Sequence, residues 1–413
     1  MEQEVVLGQP RTGPLRGIRV ADFSAIFSGP IAGAMLADQG ADVIKVEAFS
    51  GDMMRKGYPR SGGMASAFTS MNRNKRGLSV NLQTPEGKAI ATKLIQSADV
   101  VLENFRPGVM DRLGLGYDAF RESQPKLVYA SINGVGSVGP YANRRVYDAV
   151  IQAVSGFTAL RVDGKPEMVN SLICDKVTSL TAAEAIVAAL FSAERTGQGQ
   201  RVEISMLDAA LSFLWPDTMN NFTFLDDGIE PVAPLDHSIF LHETKDGWIA
   251  SMPVQEAEFF GIFRSLEMPE LVHDPRFQDA AARLAHRVEL RELMDAAYPK
   301  FTTADLCDRF ESEDVPYSRL NSRAEVISDP QVRAMGALLN YQHPVAGRVR
   351  TPRPAAQFEQ TPSNLYAHTP ELGEHSVEIL RELKYEQPDI DQLLKQGIVL
   401  SASRSGADLH DSA

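Results

Sequence analysis

The chain has 413 residues, 44% hydrophobic and 23% charged, which is the composition of an ordinary globular protein too long for one hydrophobic core, so two domains are expected. Its net charge of −13 argues against nucleic acid and against an anionic membrane surface, and any polyanionic ligand has to find a local basic patch. Cys174 and Cys307 carry no disulfide or metal-site pattern, the acidic start lacks the features of a signal peptide, and no apolar run approaches a membrane span, so the cytoplasm is the default location.

The first elements form a strand, tight turn, helix and strand. Ile18 to Phe23 is a short apolar run, Gly29-Pro30 supplies the turn and a helix-starting proline, and Ile31, Met35 and Leu36 fall on one helical face. Gly40 stops that helix, and Val43-Ile44-Val46 follows as a buried parallel strand. Thr84-Pro85-Glu86 caps a helix to about Ser97, Asp99 to Glu103 is a strand, Asp118 to Ser123 is helical, and Leu127 to Ile132 is the next strand. Asp175 to Glu194 reads as an amphipathic helix with Val177, Leu180, Val187, Leu190 and Phe191 in register, and Thr196-Gly-Gln-Gly turns into a strand from Arg201 to Met206. This alternation predicts an α/β domain with a mostly parallel, Rossmann-like sheet.

Beyond Asp226-Asp227-Gly228 the texture changes. Ser238 to His242 and Trp248 to Ser251 form a hairpin about Lys245-Asp246-Gly247, and helices follow to about Ser312. The expected organisation is a large domain over 1–225, a smaller inserted α+β domain over 226–320, a crossing and return to the large domain over 321–400, and a disordered tail over 401–413.

Several residues can carry chemistry. Asp175 stands directly before its helix, where an aspartate serves as an N-cap and where the helix terminus also keeps a carboxylate ionised with an oxygen free to attack. Cys174 beside it has no nearby histidine and reads as packing. Asn72-Arg-Asn-Lys-Arg-Gly77 gathers three cations, and Asn104-Phe-Arg-Pro-Gly with Arg112 adds two more. Loops beside parallel strands are where α/β proteins bind ligands, so these clusters favour an anion site over solvated surface charge. Gly134-Val-Gly-Ser-Val-Gly139 satisfies G-x-G-x-x-G, but Pro140 and polar residues follow instead of a helix, which weakens an NAD-dependent oxidoreductase reading. No P-loop, H-E-x-x-H or G-x-S-x-G occurs, and the eight histidines show no metal-ligand spacing.

Val20-Ala-Asp-Phe-Ser-Ala-Ile-Phe-Ser-Gly-Pro-Ile and the stretch through Lys45-Val-Glu47 closely resemble the N-terminus of the class III CoA-transferases, a family that includes the α-methylacyl-CoA racemases. Ser171-Leu-Ile-Cys-Asp-Lys-Val-Thr with Thr196-Gly-Gln-Gly-Gln-Arg-Val resembles the family's nucleophile segment, and the resemblance covers nearly the whole chain. It implies that Asp175 is the catalytic carboxylate, and that Phe27, Ser28, Val80, Asn104, Phe105, Arg112, Arg145 and Tyr147 hold CoA, with the glycine turn at 134–139 shaping the channel. Ala48 and Gln83 stand where a well-known member has arginine and lysine, so the phosphate contacts are rearranged. The implied substrates are an acyl-CoA donor and a carboxylic acid acceptor. CoA enters as a thioester substrate, with no tightly bound cofactor, and the resemblance further implies an interlocked homodimer threaded by crossing segments such as Asn321 to Leu339.

Racemases of the family carry a histidine just before the Asp148 position. Here Tyr147 stands there, and a phenol of ordinary pKa about 10 is poorly matched to proton shuttling at neutral pH, so transfer is favoured over racemisation. A racemase would need Tyr147, His237 or His242 as its second acid/base. A CoA-binding protein without catalysis is the rival outside enzymology. The run of glycines that formyl-CoA transferase carries in its small domain is missing between Asp226 and Leu320, which favours a larger acid, such as a dicarboxylate, over formate and oxalate.

Overall fold

The computed structural model describes residues 3–160, 165–226, 228 and 240–402. The chain divides into two compact units, one of Met1–Ile229 with Arg333–Ala413 and the other of Glu230–Val332.

The first unit is built on a sheet whose strands are β1 (Arg19–Asp22), β2 (Asp42–Glu47), β3 (Arg76–Val80), β4 (Val100–Glu103), β5 (Val128–Asn133) and β6 (Arg201–Ser205). Their spatial order is β6-β5-β4-β1-β2-β3, every neighbouring pair is parallel, and Val399–Leu400 adds an antiparallel edge beside β3. That is the doubly wound order in which strand direction of travel reverses between β1 and β4.

Both faces of the sheet are covered, so the strands are apolar at successive positions instead of alternating. Val20, Val43, Val100, Val128 and Ile204 pack with Ala32 and Leu36 of helix α1 (Ser28–Asp38) and Ala182, Ile186 and Ala189 further along the chain. Ala21, Ile44, Val101 and Tyr129 point the other way, against Ile90 and Leu94 of helix α2 (Pro85–Gln96) and the C-terminal residues Ile379, Ile390 and Val399. Thr84 caps α2 by accepting the Gly87 N–H at 3.1 Å, as its sequence signature predicts.

Three further helices pack against one another: α3 (Asp148–Ser155), α4 (Ile173–Thr196) and α5 (Met206–Thr218). Helix α4 begins two residues before the expected start, so Asp175 is the third residue of its first turn and not the cap. Its apolar face matches the expected one only in part: Val177 is buried and Leu190 packs on the sheet core. Leu180 and Phe191 are exposed, and the buried positions are mostly small: Cys174, Thr178, Ser179, Ala182, Ile186 and Ala189. Small side chains let α1 approach closely, and Ser179 Oγ bonds the Ser28 carbonyl across that contact at 2.8 Å. Helix α4 is, among the described residues, the one helix long and apolar enough to cross a membrane by length and composition.

Residues 118–123 do not form the expected helix. A 3-10 turn covers Tyr117–Ala119, and the helix there is the earlier Val109–Leu113, bounded by left-handed Gly108 and Gly114. In the second unit, Leu241–Glu243, Trp248–Ser251 and Tyr317–Arg319 form an antiparallel sheet around Ile249, with Phe263, Phe277, Tyr298 and Phe310 in the core. Ser238 and Ile239 of the expected hairpin lie outside the described residues. This unit runs to Val332, past the expected limit at Leu320, and within the added stretch Asn321 donates to the Asp329 carboxylate at 3.0 Å. Of the expected tail, 403–413 lies outside the described residues, and Ser401 is buried.

Candidate active site

The reversal between β1 and β4 opens a crevice at the carboxyl ends of the strands. A cleft of about 620 Å³ occupies it, lined by Ala25 to Ser28 after β1, Asn104 to Pro107 after β4, Ile132 to Val135 after β5, the loop Ala142 to Tyr147, Met206 and Asp175. Phe27, Ser28, Asn104, Phe105, Arg112, Arg145, Tyr147 and Asp175 therefore come together from distant parts of the chain, as expected.

Val80 does not join them. It lies in β3 opposite Val399, wholly buried in the core on the far side of the strand from solvent. The cation cluster at 72–77 is also elsewhere engaged. Arg73 pairs with Asp38 at 2.6 Å, Lys75 with Asp22 at 2.8 Å, and Arg76 with Asp42 at 2.6 Å, so the three charges stitch α1, β1 and β2 to β3 and none faces the cleft. Ala48 and Gln83 do not line it either. The cleft takes its positive charge from Arg106, Arg112, Arg144 and Arg145. Among the described residues none of Arg106, Arg112 and Arg145 has an ion-pair partner, and Arg144 stacks over the Tyr141 ring at 3.8 Å. Arg106 and Arg144 were legible only as members of charged stretches.

Asp175 sits where two helix termini meet. It occupies the first turn of α4 and shares the cleft wall with Ser28, the first residue of α1, whose N–H and hydroxyl act to lower its pKa. Burial and the nearby carboxylate of Asp148 outweigh those donors and push its pKa up to about 6. It is thus ionised at neutral pH and more basic than a free aspartate, which makes it a better nucleophile.

Asp148 was read only as a landmark, but it builds the site. As the first residue of α3 it is buried, accepts the Asp175 N–H at 3.0 Å, and takes the Gln152 amide at 2.6 Å. It thereby caps α4, which has no side-chain cap of its own. Gln152 also receives the Val169 N–H at 2.9 Å, so α3 holds the segment leading into the turn that carries Asp175. The signal in the sequence was an aspartate opening a helix directly after Tyr147.

Tyr147 precedes α3 and is 55% exposed, lining the cleft. Cys174 is wholly buried among Ile151, Phe157 and Met206, and burial next to Asp148 and Asp175 pushes its thiol up to about 12, which removes it as a nucleophile. The 134–139 glycine turn follows β5 rather than β1, and Gly134 and Val135 line the cleft wall, not a helix terminus. His237 lies outside the described residues. His242 is buried in the second unit with its ring stacked 3.9 Å from that of Tyr298.

The family model described as CoA-transferase family III matches residues 15–376. A succinate–glutarate CoA-transferase of Agrobacterium fabrum is 36% identical over 392 residues, covering 91% of this chain and 96% of its own. A formyl-CoA:oxalate CoA-transferase of Streptomyces avermitilis is 31% identical, covering 94% of this chain and all of its own. The crystal structure of a CAIB/BAIF family protein from Brucella suis superposes with a TM-score of 0.79 at 32% identity, covering 90% of this chain and 100% of that one.

Proposed function

The chain belongs to CoA-transferase family III and is an enzyme of that class; from that premise we propose that Asp175 is its nucleophile and that the arginine-lined cleft holds the CoA thioester. The observation that carries this is the placement of one half-buried carboxylate, raised to about 6, at the meeting of two helix termini in a cleft with unpaired cations.

The Asp175 carboxylate attacks the donor thioester carbonyl, the C–S bond breaks, and a mixed anhydride and CoA thiolate result. The thiolate attacks the aspartyl carbonyl, releasing the donor acid and leaving an aspartyl-CoA thioester. The acceptor carboxylate attacks that thioester and again frees the thiolate, which takes the acceptor acyl group and regenerates Asp175. Retaining CoA in the cleft throughout avoids the entropy cost of recapturing it. The Ser28 N–H and the α1 terminus are placed to stabilise the oxyanions.

The acceptor we favour is a dicarboxylate, since the glycine run of formyl-CoA transferases is missing and the succinate–glutarate relative is the more similar of the two enzymes compared. We place a second copy of the chain on the outward faces of the packed helices α3, α4 and α5, where Val150, Leu180, Phe191, Phe213 and Trp215 are all exposed. A cytoplasmic location fits the two free cysteines.

Mass spectrometry of mixtures of succinyl-CoA with a panel of mono- and dicarboxylic acids tests the reading. A new thioester is expected with wild type and none with Asp175→Asn, and hydroxylamine during turnover is expected to modify Asp175 alone. An active Asp175→Asn enzyme overturns the assignment. Racemisation would wash deuterium from D₂O into a 2-methylacyl-CoA, and no such exchange is expected.

A further inference from the structure

The turn between β1 and α1 is held by side chains at successive backbone groups. Asp22 accepts the Ser24 N–H at 3.0 Å, Lys45 donates to the Ser24 carbonyl at 2.9 Å, and the Asn104 amide bonds both the N–H and the carbonyl of Ala25, at 2.8 and 2.7 Å. Ile26 follows with φ of +73°, a left-handed conformation that a β-branched residue adopts only when its surroundings impose it. What bonds its N–H is the carboxylate of Asp52, at 3.2 and 3.3 Å to the two oxygens.

Asp52 is itself fixed. Lys45 Nζ lies 3.0 Å from its Oδ2, with the two side chains 0% and 1% exposed, and its own N–H donates to Glu47 Oε1 at 2.8 Å. Glu47 is in turn gripped by Arg55 at 2.6 Å. Two residues after Ile26 comes Ser28, which lines the cleft beside Asp175 and is tied to it through Ser179 Oγ, 2.8 Å from the Ser28 carbonyl and 2.7 Å from that of Asp175; its N–H and hydroxyl act to lower the Asp175 pKa. Gly29 permits the close return of the chain, because a Cβ there would stand 2.2 Å from that of Ser24.

We infer that Asp52, paired with Lys45, is a positioning residue for the reaction: by holding the Ile26 N–H it imposes the left-handed turn that aims Ser28 at Asp175. The inference rests on the reading of Asp175 as the nucleophile. Released from Asp52, Ile26 relaxes to negative φ and the Ser28 donors swing off the carboxylate. Asp175 then keeps its burial, the repulsion from Asp148 on α3 and the neighbouring Cys174, while Arg144, Arg145 and Tyr147 of the cleft loop stay where they were. Its proton is held more tightly, and the acid limb of the rate profile moves to higher pH.

The test replaces the ion pair by apolar groups, Lys45→Met with Asp52→Leu, so that no buried charge is left unpaired. With succinyl-CoA and the best acceptor, we expect a folded protein whose kcat falls at least about 30-fold, whose KM for the thioester stays within about threefold, and whose acid limb in kcat/KM shifts up by about one pH unit. Adding Ser28→Ala is expected to cost little more, because both changes remove the same donors. If the double variant does not fold, Asp52→Asn is expected to shift the limb in the same direction by a smaller amount. An unmoved acid limb, or losses that multiply fully with Ser28→Ala, overturns the inference. Asp175→Asn run beside them separates the cases: if it is inactive while the limb stays put, only the role of Asp52 fails, and if it is active the nucleophile assignment itself fails.

Discussion

Two groups of cations in the first unit look alike in sequence and do opposite things. Arg73, Lys75 and Arg76 are buried or half-buried and each meets a carboxylate, whereas Arg106, Arg112 and Arg145 line the cleft with no carboxylate partner among the described residues. The first group holds elements together, and Gly33 is part of its design, since a Cβ there would press to 2.8 Å from Asp22 and 3.0 Å from Lys75. The second group is free to meet a ligand. A basic run identifies an anion site only when the fold leaves its charges unanswered.

The contrast can be broken most severely at Lys75. Lys75→Met strands the wholly buried Asp22 carboxylate, and urea unfolding is expected to show a loss of about 3–5 kcal/mol. Arg145→Ala should do the reverse. By calorimetry CoA binding weakens by about 1.5–3 kcal/mol, while unfolding free energy stays within about 0.5 kcal/mol of wild type. Equal stability losses for the two variants would erase the distinction between the groups.

A smaller effect sharpens the same contrast among carboxylates. Charges of Lys75 and Lys45 overcome the effect of burial and hold Asp22 below the usual range, but Asp175 is raised from 3.8 to about 6. The folded state therefore binds the Asp175 proton more tightly than the unfolded chain does. Its contribution to stability is present at low pH and lost as pH rises through about 6. Asp175→Asn should raise stability at pH 7 by about 1–2 kcal/mol, a figure reduced for partial solvent access, and thermal unfolding that shows a drop instead would contradict the site's electrostatics.

The smallest expected effect concerns His343, buried with Nε2 donating to the Thr369 carbonyl and Nδ1 accepting two N–H groups, of Val345 and Ala346. Burial depresses its pKa below 6.5, so its contribution is full above that value and lost as pH falls below it. The decline in urea midpoint from pH 7 to 5 should be shallower in His343→Asn than in wild type.

Much of this was legible because it is local. β1, the Gly29-Pro30 entry to α1, β2 and the Thr84 cap follow from short-range pattern, and Asp175 from its segment. What escaped is long-range. The partners of Arg73, Lys75 and Arg76 come from α1, β1 and β2, which no spacing rule connects to them. Val80 lies inside the core because strand Val399–Leu400 returns to cover it. The face of α4 was partly misjudged because closeness to α1 selects small residues, and the largest apolar side chains turn outward.

The unpartnered arginines also bear on how fast the substrate arrives. A chain with net charge −13 repels a polyanion at long range, yet on the proposed reading the arginines at the mouth of this cleft would attract CoA over the last Debye length. The encounter is then gated by ionic strength. Added salt screens the long-range repulsion before it screens the short-range attraction of the arginines, so association should quicken at moderate ionic strength and slow only when the Debye length falls to the width of the cleft, while the rate of escape changes little.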